Sequence, residues 1–111
     1  MDIIQECMQM TSYGGEAKSL ALQAIRQARE GDFKQAEESL DKSSQALIKS
    51  HHAHANLLTR DAEEGDVQVS VFMLHAADHL SSAEVINLLA EEFIYLHKKG
   101  GKNYVQNSAY V

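Results

Sequence analysis

The chain has 111 residues, enough for one domain with its own core. Its net charge of -6 excludes nucleic acid as a partner, because proteins that bind a phosphate backbone need a clustered basic face. Its one cysteine, Cys7, rules out an internal disulfide, and no run approaches the roughly 20 apolar residues of a membrane span, so we predict a cytoplasmic protein without direct membrane insertion. The absence of proline and the abundance of helix-forming residues predict an all-α fold.

The first predicted helix runs from about Ile3 to Glu30, with Cys7 as a small buried apolar residue. Spacings of three and four place one stripe on its second half: Ala17, Leu20, Ala21, Ala24 and Ala28. A glycine inside a helix costs about 1 kcal/mol relative to alanine, yet it lets another backbone come close. We therefore predict that the helix continues through Gly14-Gly15 and is packed closely there.

A turn at Gly31 leads into the second helix. Glycine suits the left-handed position after a helix, and Asp32 followed by Gln35 is an N-terminal capping signature. The helix is predicted to end at the acidic turn near Gly65. Its predicted inward seam contains Phe33, Ala36, Leu40, Ser43, Leu47, His51, His54 and Leu58, so two histidines take positions where core residues are expected.

The third helix is predicted from about Val67 to Lys99, within a domain of residues 1–101 that precedes a disordered tail of residues 102–111. One stripe suits the core of the subunit: Met73, Ala76, Leu80, Ala83, Ala90 and Ile94. A second stripe follows heptad spacing: Val71, Leu74, Asp78, Ser81, Val85, Leu88 and Glu92. Short connections between long helices predict an antiparallel three-helix bundle, and the second stripe predicts self-association.

His75, Asp78 and His79 lie within about one turn of the third helix, so their side chains project into one neighbourhood. They could be partly buried structural histidines beside a solvated acid. They could also form a zinc site, with His51 or His54 as the third protein ligand. In a third interpretation, a neutral imidazole carries a phosphoryl group while a second histidine supports the added charge. Spacing leaves zinc and phosphoryl transfer open, and the lack of a nucleotide-binding motif makes any phosphoryl donor another protein.

Asp78 acquires a special role if the second stripe forms a threefold contact. Three Asp78 carboxylates would then meet near an axis, and a pair about 5 Å apart repels by roughly 3 kcal/mol at an effective dielectric of 20. A divalent cation that prefers oxygen ligands, such as Mg²⁺, or protonation of some of the acids would relieve that repulsion. The metal prediction therefore depends on the trimer.

Four stretches occur in a specific order along the chain: Gly15 to Ala21, Ala28 to Phe33, Val69 to Val71 leading into His75 to Leu80, and Glu92 to His97. In this order and spacing, almost from end to end, the chain resembles enzyme IIA of the lactose, cellobiose and diacetylchitobiose branch of the bacterial phosphoenolpyruvate-dependent sugar phosphotransferase system. The early stretches are short sequences that occur in many helices and turns. Their placement around the His-Ala-x-Asp-His core makes the combination specific.

The resemblance implies a homotrimer of three-helix subunits with active sites near the subunit boundaries. It makes His75 the residue that accepts a phosphoryl group from the histidine-containing phosphocarrier protein and passes it to a cysteine of the cognate IIB subunit. It makes Asp78 the ligand of a structural divalent ion, Mg²⁺, at the trimer axis, and His79 the active-site neighbour of His75. His51 and His54 are further candidate lining residues.

Two departures from the family pattern each remove a glutamine. The family usually has Gln where this chain has Ala77, and a Gln-Thr pair where it has His54-Ala55. Both changes remove amides that can hydrogen-bond a phosphoryl group or orient an imidazole, and His54 is a donor that could compensate. The competing interpretation is a non-catalytic, metal-stabilised helical assembly or a regulatory paralogue.

Overall fold

The computed structural model describes residues 2–108, with side chains described for residues 2–100. It consists of three helices, α1 (Ile3–Arg29), α2 (Phe33–Glu64) and α3 (Val71–Ser108), and the described part contains no strand. The helices form an elongated bundle of 67 × 21 × 17 Å. The predicted all-α three-helix bundle is therefore confirmed.

The turn between α1 and α2 has the predicted chemistry. Gly31 adopts a left-handed backbone with φ of 82°, and the Asp32 carboxylate accepts a hydrogen bond from the Gln35 backbone N–H at 3.3 Å. At the far end of α2, Gly65 caps the helix with φ of 64°. These local signals were readable because each depends on residues only a few positions apart.

Both ends of α3 differ from the prediction. The helix begins at Val71, after the Ser70 hydroxyl accepts a hydrogen bond from the Met73 backbone N–H at 3.1 Å. It continues past the predicted end at Lys99, since Gly100 stays helical and does not adopt the left-handed conformation that ends a helix. The predicted division into a domain of residues 1–101 and a disordered tail of residues 102–111 stays a prediction, and residues 109–111 lie outside the described residues.

Helix α1 is central, since it packs against both other helices, whereas α2 and α3 contact each other least. Apart from Met10, the buried side chains of α1 are small: Cys7, Met10, Ala17, Ala21, Ala24 and Ala28 are at most 1% exposed. The predicted α1 stripe is confirmed at its four alanines, whereas Leu20 is only half-buried. The burial of Cys7 is also confirmed, and this burial raises the pKa of the Cys7 thiol. The core stripe of α3 is confirmed as well: Met73 packs against the core cluster that contains Ala76 and Leu80, and the buried members are Ala76, Leu80, Ala83, Ala90 and Ile94.

The predicted seam of α2 is confirmed in part: Ala36 and Ser43 are buried, and the larger apolar members of its first half pack against the core, namely Phe33, Leu40 and Leu47. In the second half of the helix the prediction is wrong. The buried face consists of Ala36, Ser39, Ser43, Ala46, Ser50, Ala53 and Leu57, so after Ser43 the inward side is rotated by about one residue. The Ser43 hydroxyl donates to the Ala17 carbonyl at 2.7 Å, and the Ser50 hydroxyl donates to the Met10 carbonyl at 2.8 Å. Small hydroxyl side chains that bond the α1 backbone bring the two helices close. His51 is consequently exposed and His54 half-buried, and neither belongs to the core.

The second stripe of α3 faces away from the bundle. Val71, Leu74, Val85 and Leu88 are 84%, 60%, 53% and 59% exposed, and the polar members Asp78, Ser81 and Glu92 are exposed too. The stripe is therefore unused by the core of the subunit. None of the helices, over the residues that are described, is long and apolar enough to cross a bilayer.

Candidate active site

Two histidine rings on α3 form the centre of the site. His75 is exposed, and His79, one turn further along the helix, is partly buried. Their ring centroids lie 4.5 Å apart with an interplanar angle of 72°, an edge-to-face arrangement. The prediction that these two imidazoles share one neighbourhood is thus confirmed by their contact, with the outer ring accessible to a large partner.

The backbone of α1 supports the inner ring. A Cβ placed on Gly14 would lie 3.2 Å from both the carbonyl carbon and the carbonyl oxygen of His79, which is closer than ordinary packing allows. A Cβ on Gly15 would lie 3.9 Å from His79 Nδ1, an ordinary contact distance. The expectation that α1 runs through both glycines with another backbone close by is confirmed, and that backbone belongs to the His79 turn.

The surroundings of His79 favour its neutral form. Burial lowers the pKa of the His79 imidazole below its ordinary value, the charges of His75 and Lys18 lower that pKa further, and Asp78 opposes them. His79 Nδ1 is buried and has no hydrogen-bond partner among the residues whose side chains are described. The site therefore holds a neutral ring beneath an exposed one.

Lys18 is a component of this neighbourhood that the sequence reasoning missed. It lies on α1 one turn after Gly14 and Gly15, is half-buried, and adds positive charge near His79. The signal was present in the spacing, because residues three and four apart share a helix face. That spacing places Lys18 near His79 only if Gly14 contacts His79, and the sequence does not show this contact.

Asp78 points to the exposed stripe, away from the bundle core. Its side chain takes part in no hydrogen bond or ion pair with the described residues. Within one subunit, over the described residues, no three His, Cys, Asp or Glu side chains come together as a metal site. A role for Asp78 as a metal ligand therefore needs carboxylates from other copies of the chain and stays a prediction.

His51 and His54 lie away from the pair formed by His75 and His79. His51 Nε2 is 3.8 Å from a Glu84 carboxylate oxygen on α3. His54 lines a cleft of about 280 Å³ together with Met10, Leu57, Leu58, Asp61, Val67, Val69, Met73, Leu74 and Ala77. A zinc site assembled from these histidines within one subunit is wrong for this structure, and their role as lining residues stays a prediction.

The sequence is similar to a known family over most of its length. The model of the family described as "PTS system, Lactose/Cellobiose specific IIA subunit" matches residues 5–98. The N,N'-diacetylchitobiose-specific EIIA component of Escherichia coli strain K12 is 41% identical over 85 residues, which cover 77% of this chain and 73% of that protein. The lactose-specific EIIA component of Staphylococcus epidermidis is 32% identical over 92 residues, covering 83% and 88%.

Solved structures agree with the sequence comparison. The cellobiose-specific enzyme IIA of Bacillus anthracis superposes with a TM-score of 0.87 at 32% identity, over 92% of this chain and 94% of that chain. The IIA chain in a solution structure of the Escherichia coli complex of chitobiose IIA with HPr superposes with a TM-score of 0.76 at 35% identity, over 89% and 96%. The chain belongs to the lactose/cellobiose-specific IIA family of the sugar phosphotransferase system.

Proposed function

We propose that this chain is a cytoplasmic phosphocarrier subunit that accepts a phosphoryl group on His75 from the histidine-containing phosphocarrier protein and delivers it to a cysteine of the cognate IIB subunit. The observation that carries the proposal is an exposed imidazole whose ring lies 4.5 Å from a second, partly buried imidazole. An exposed nucleophile suits a reaction between two proteins, because neither reactant has to enter a closed pocket.

The chemistry is a sequence of two transfers. In the first, a lone pair of a His75 ring nitrogen forms the P–N bond while the P–N bond to the donor histidine breaks and its electron pair returns to the donor imidazole. In the second, the IIB cysteine thiolate forms a P–S bond while the P–N bond to His75 breaks. No nucleotide or redox partner is needed, and the transferred group always remains bonded to one protein.

His79, the partly buried ring in contact with His75, supports both phosphoryl transfers. Because burial and the charges of His75 and Lys18 lower its pKa, its ring is neutral near pH 7 and carries one N–H donor. A neutral neighbour also avoids adding a second positive ring against His75 during attack. Lys18 supplies positive charge beside the site, which favours the doubly charged phosphoryl group.

The exposed stripe of α3 provides the surface for a homotrimer. A stripe of apolar side chains that are half or more exposed is unusual on a monomer. Asp78 interrupts this stripe, and a carboxylate oxygen is the ligand type that Mg²⁺ prefers. Asp78 from each subunit would hold the ion, and the bound ion would neutralise acids brought together by assembly.

The direct test is phosphorylation in a defined mixture. The purified chain is incubated with phosphoenolpyruvate, enzyme I and the phosphocarrier protein, and the intact mass is measured. We expect a gain of one phosphoryl group per subunit, and no gain in His75→Gln. The control is His52→Gln, which removes an exposed imidazole from α2 and is expected to be labelled normally.

Two results would contradict the proposal. One is a wild-type chain that gains no mass while a known IIA protein in the same mixture does. The other is labelling that survives in His75→Gln. An oligomer that dissociates in chelator and never takes up a phosphoryl group would support the non-catalytic assembly instead.

A further inference from the structure

The cleft between α2 and α3 contains a histidine that the subunit's own site does not use. His54 is half-buried there, beside Leu74 and Ala77 of α3. The cleft is mainly apolar, and His54 and Asp61 are its two ionisable side chains among the described residues. His51, one turn away on α2, is instead next to Glu84. His54 is thus a half-buried imidazole in the lining of a mainly apolar cleft.

His54 and His75 lie on opposite flanks of the same helix. His79, which contacts His75, packs against α1 at Gly14 and Gly15, so this pair marks the α1 flank of α3. Ala77 lines the cleft with His54 and marks the α2 flank, and Leu74, a member of the exposed stripe, borders the same cleft. The exposed apolar stripe separates the two flanks, and residues 74–77 place both at the same height along the bundle.

Closed rotational symmetry brings opposite flanks together. In a cyclic assembly with α3 nearest the axis, each subunit presents its α1 flank to the α2 flank of the next. A rotation about an axis parallel to the bundle does not change height. An imidazole and a cleft at the same height on opposite flanks would therefore face each other across every subunit boundary, and a second copy of this chain would cover the cleft.

We propose that His54 of the adjacent subunit completes the phosphoryl site of His75 by donating a hydrogen bond to a phosphoryl oxygen. This inference rests on the proposed phosphocarrier function and on the trimer. An imidazole N–H is a suitable donor to a phosphate oxygen, and a hydrogen bond to a charged group is stronger than a neutral one. Each site would then contain His75 and His79 from one subunit and His54 from the next.

The first experiment measures how fast each variant is phosphorylated by the phosphocarrier protein. Loss of one charge-assisted hydrogen bond corresponds to a rate loss of roughly tenfold to a hundredfold, which we expect for His54→Ala. His54→Gln keeps an N–H donor and is expected to recover most of the rate. His52→Ala is the matched control, because it removes an exposed imidazole from the same helix. Native mass and circular dichroism verify that each variant is folded and trimeric.

The second experiment mixes two defective subunits. His54→Ala and His75→Gln chains are co-expressed with different tags, and mixed trimers that carry both tags are purified. A His75 on a His54→Ala subunit regains its donor whenever the next subunit is His75→Gln, because that subunit still has His54. We therefore expect a fast phase of labelling on a fraction of the remaining His75 side chains, about two-thirds of them in the purified mixed trimers for equal random mixing.

The outcomes separate this inference from the function on which it rests. A wild-type chain that is never labelled overturns the proposed function. Normal labelling of wild type together with an unchanged rate for His54→Ala overturns only the role of His54. A slow His54→Ala whose mixed trimers show no fast phase places His54 in the site of its own subunit and also overturns the inference.

Discussion

At the residue scale, His79 links protonation to stability. The pKa of its imidazole is lowered in the folded chain, chiefly by burial, whereas an unfolded histidine has a pKa of about 6.5. As the pH falls below that value, the unfolded chain takes up a proton that the folded site resists. The free energy of unfolding is therefore expected to fall between about pH 7 and pH 5, measured by urea denaturation.

The variant His79→Gln removes this contribution. We expect a shallower fall in the free energy of unfolding over the same pH range, since no proton can bind at that position in either state. His52→Gln serves as the control for the general effect of losing a histidine. Equal slopes for wild type and His79→Gln would mean that the buried ring does not resist protonation.

At the scale of the helices, the contact between α1 and α3 depends on one glycine. A Cβ at Gly14 would meet the His79 backbone at 3.2 Å, and backbone atoms cannot turn aside as a flexible side chain can. Gly14→Ala gains about 1 kcal/mol of helix propensity but forces the two helices apart, and overpacking costs about 1 to 3 kcal/mol. We expect a net loss of about 1 kcal/mol in unfolding free energy and slower labelling of His75, because the His79 turn moves.

Gly15→Ala is the matched comparison. The added methyl group would lie 3.9 Å from His79 Nδ1, so it gains the helix propensity without a clash. We expect this variant to be more stable than wild type by about 0.5 to 1 kcal/mol, and its thermal midpoint to rise. If both alanine variants were stabilising to the same degree, the close approach at Gly14 would be refuted.

The helices also explain which features sequence could predict. The turn at Gly31 and the pairing of His75 with His79 depend on neighbours along the chain, and both were predicted. The seam of α2 was predicted only in its first half, because apolarity favoured larger side chains beyond Ser43, while the real contact there uses Ser50 to bond a carbonyl of α1. Contacts between residues on different helices, such as Lys18 near His79, can be predicted only when the register between the helices is known.

At the scale of the whole molecule, the exposed stripe of α3 requires an explanation beyond the subunit. Leu74, Val85 and Leu88 are each more than half exposed, although the residues on the other side of the helix are fully buried. Burying such side chains contributes roughly 25 cal/mol per Å² of apolar surface removed from water. Self-association along this stripe would gain that energy, but in the proposed trimer it would also bring the Asp78 carboxylates together.

Asp78→Leu separates these two effects. We expect the wild-type oligomer to lose mass when a chelator removes divalent ions, because the clustered carboxylates then repel one another. In Asp78→Leu the repelling Asp78 charges are gone and an apolar side chain takes their place in the stripe, so we expect an oligomer of the same mass with and without chelator. Analytical ultracentrifugation in both conditions measures this.

Glu91→Leu, which removes an exposed acid of α3 outside the stripe, should keep the wild-type response. A wild-type protein that remains monomeric with added Mg²⁺, or an Asp78→Leu oligomer that still needs the ion, would contradict the axial role of Asp78.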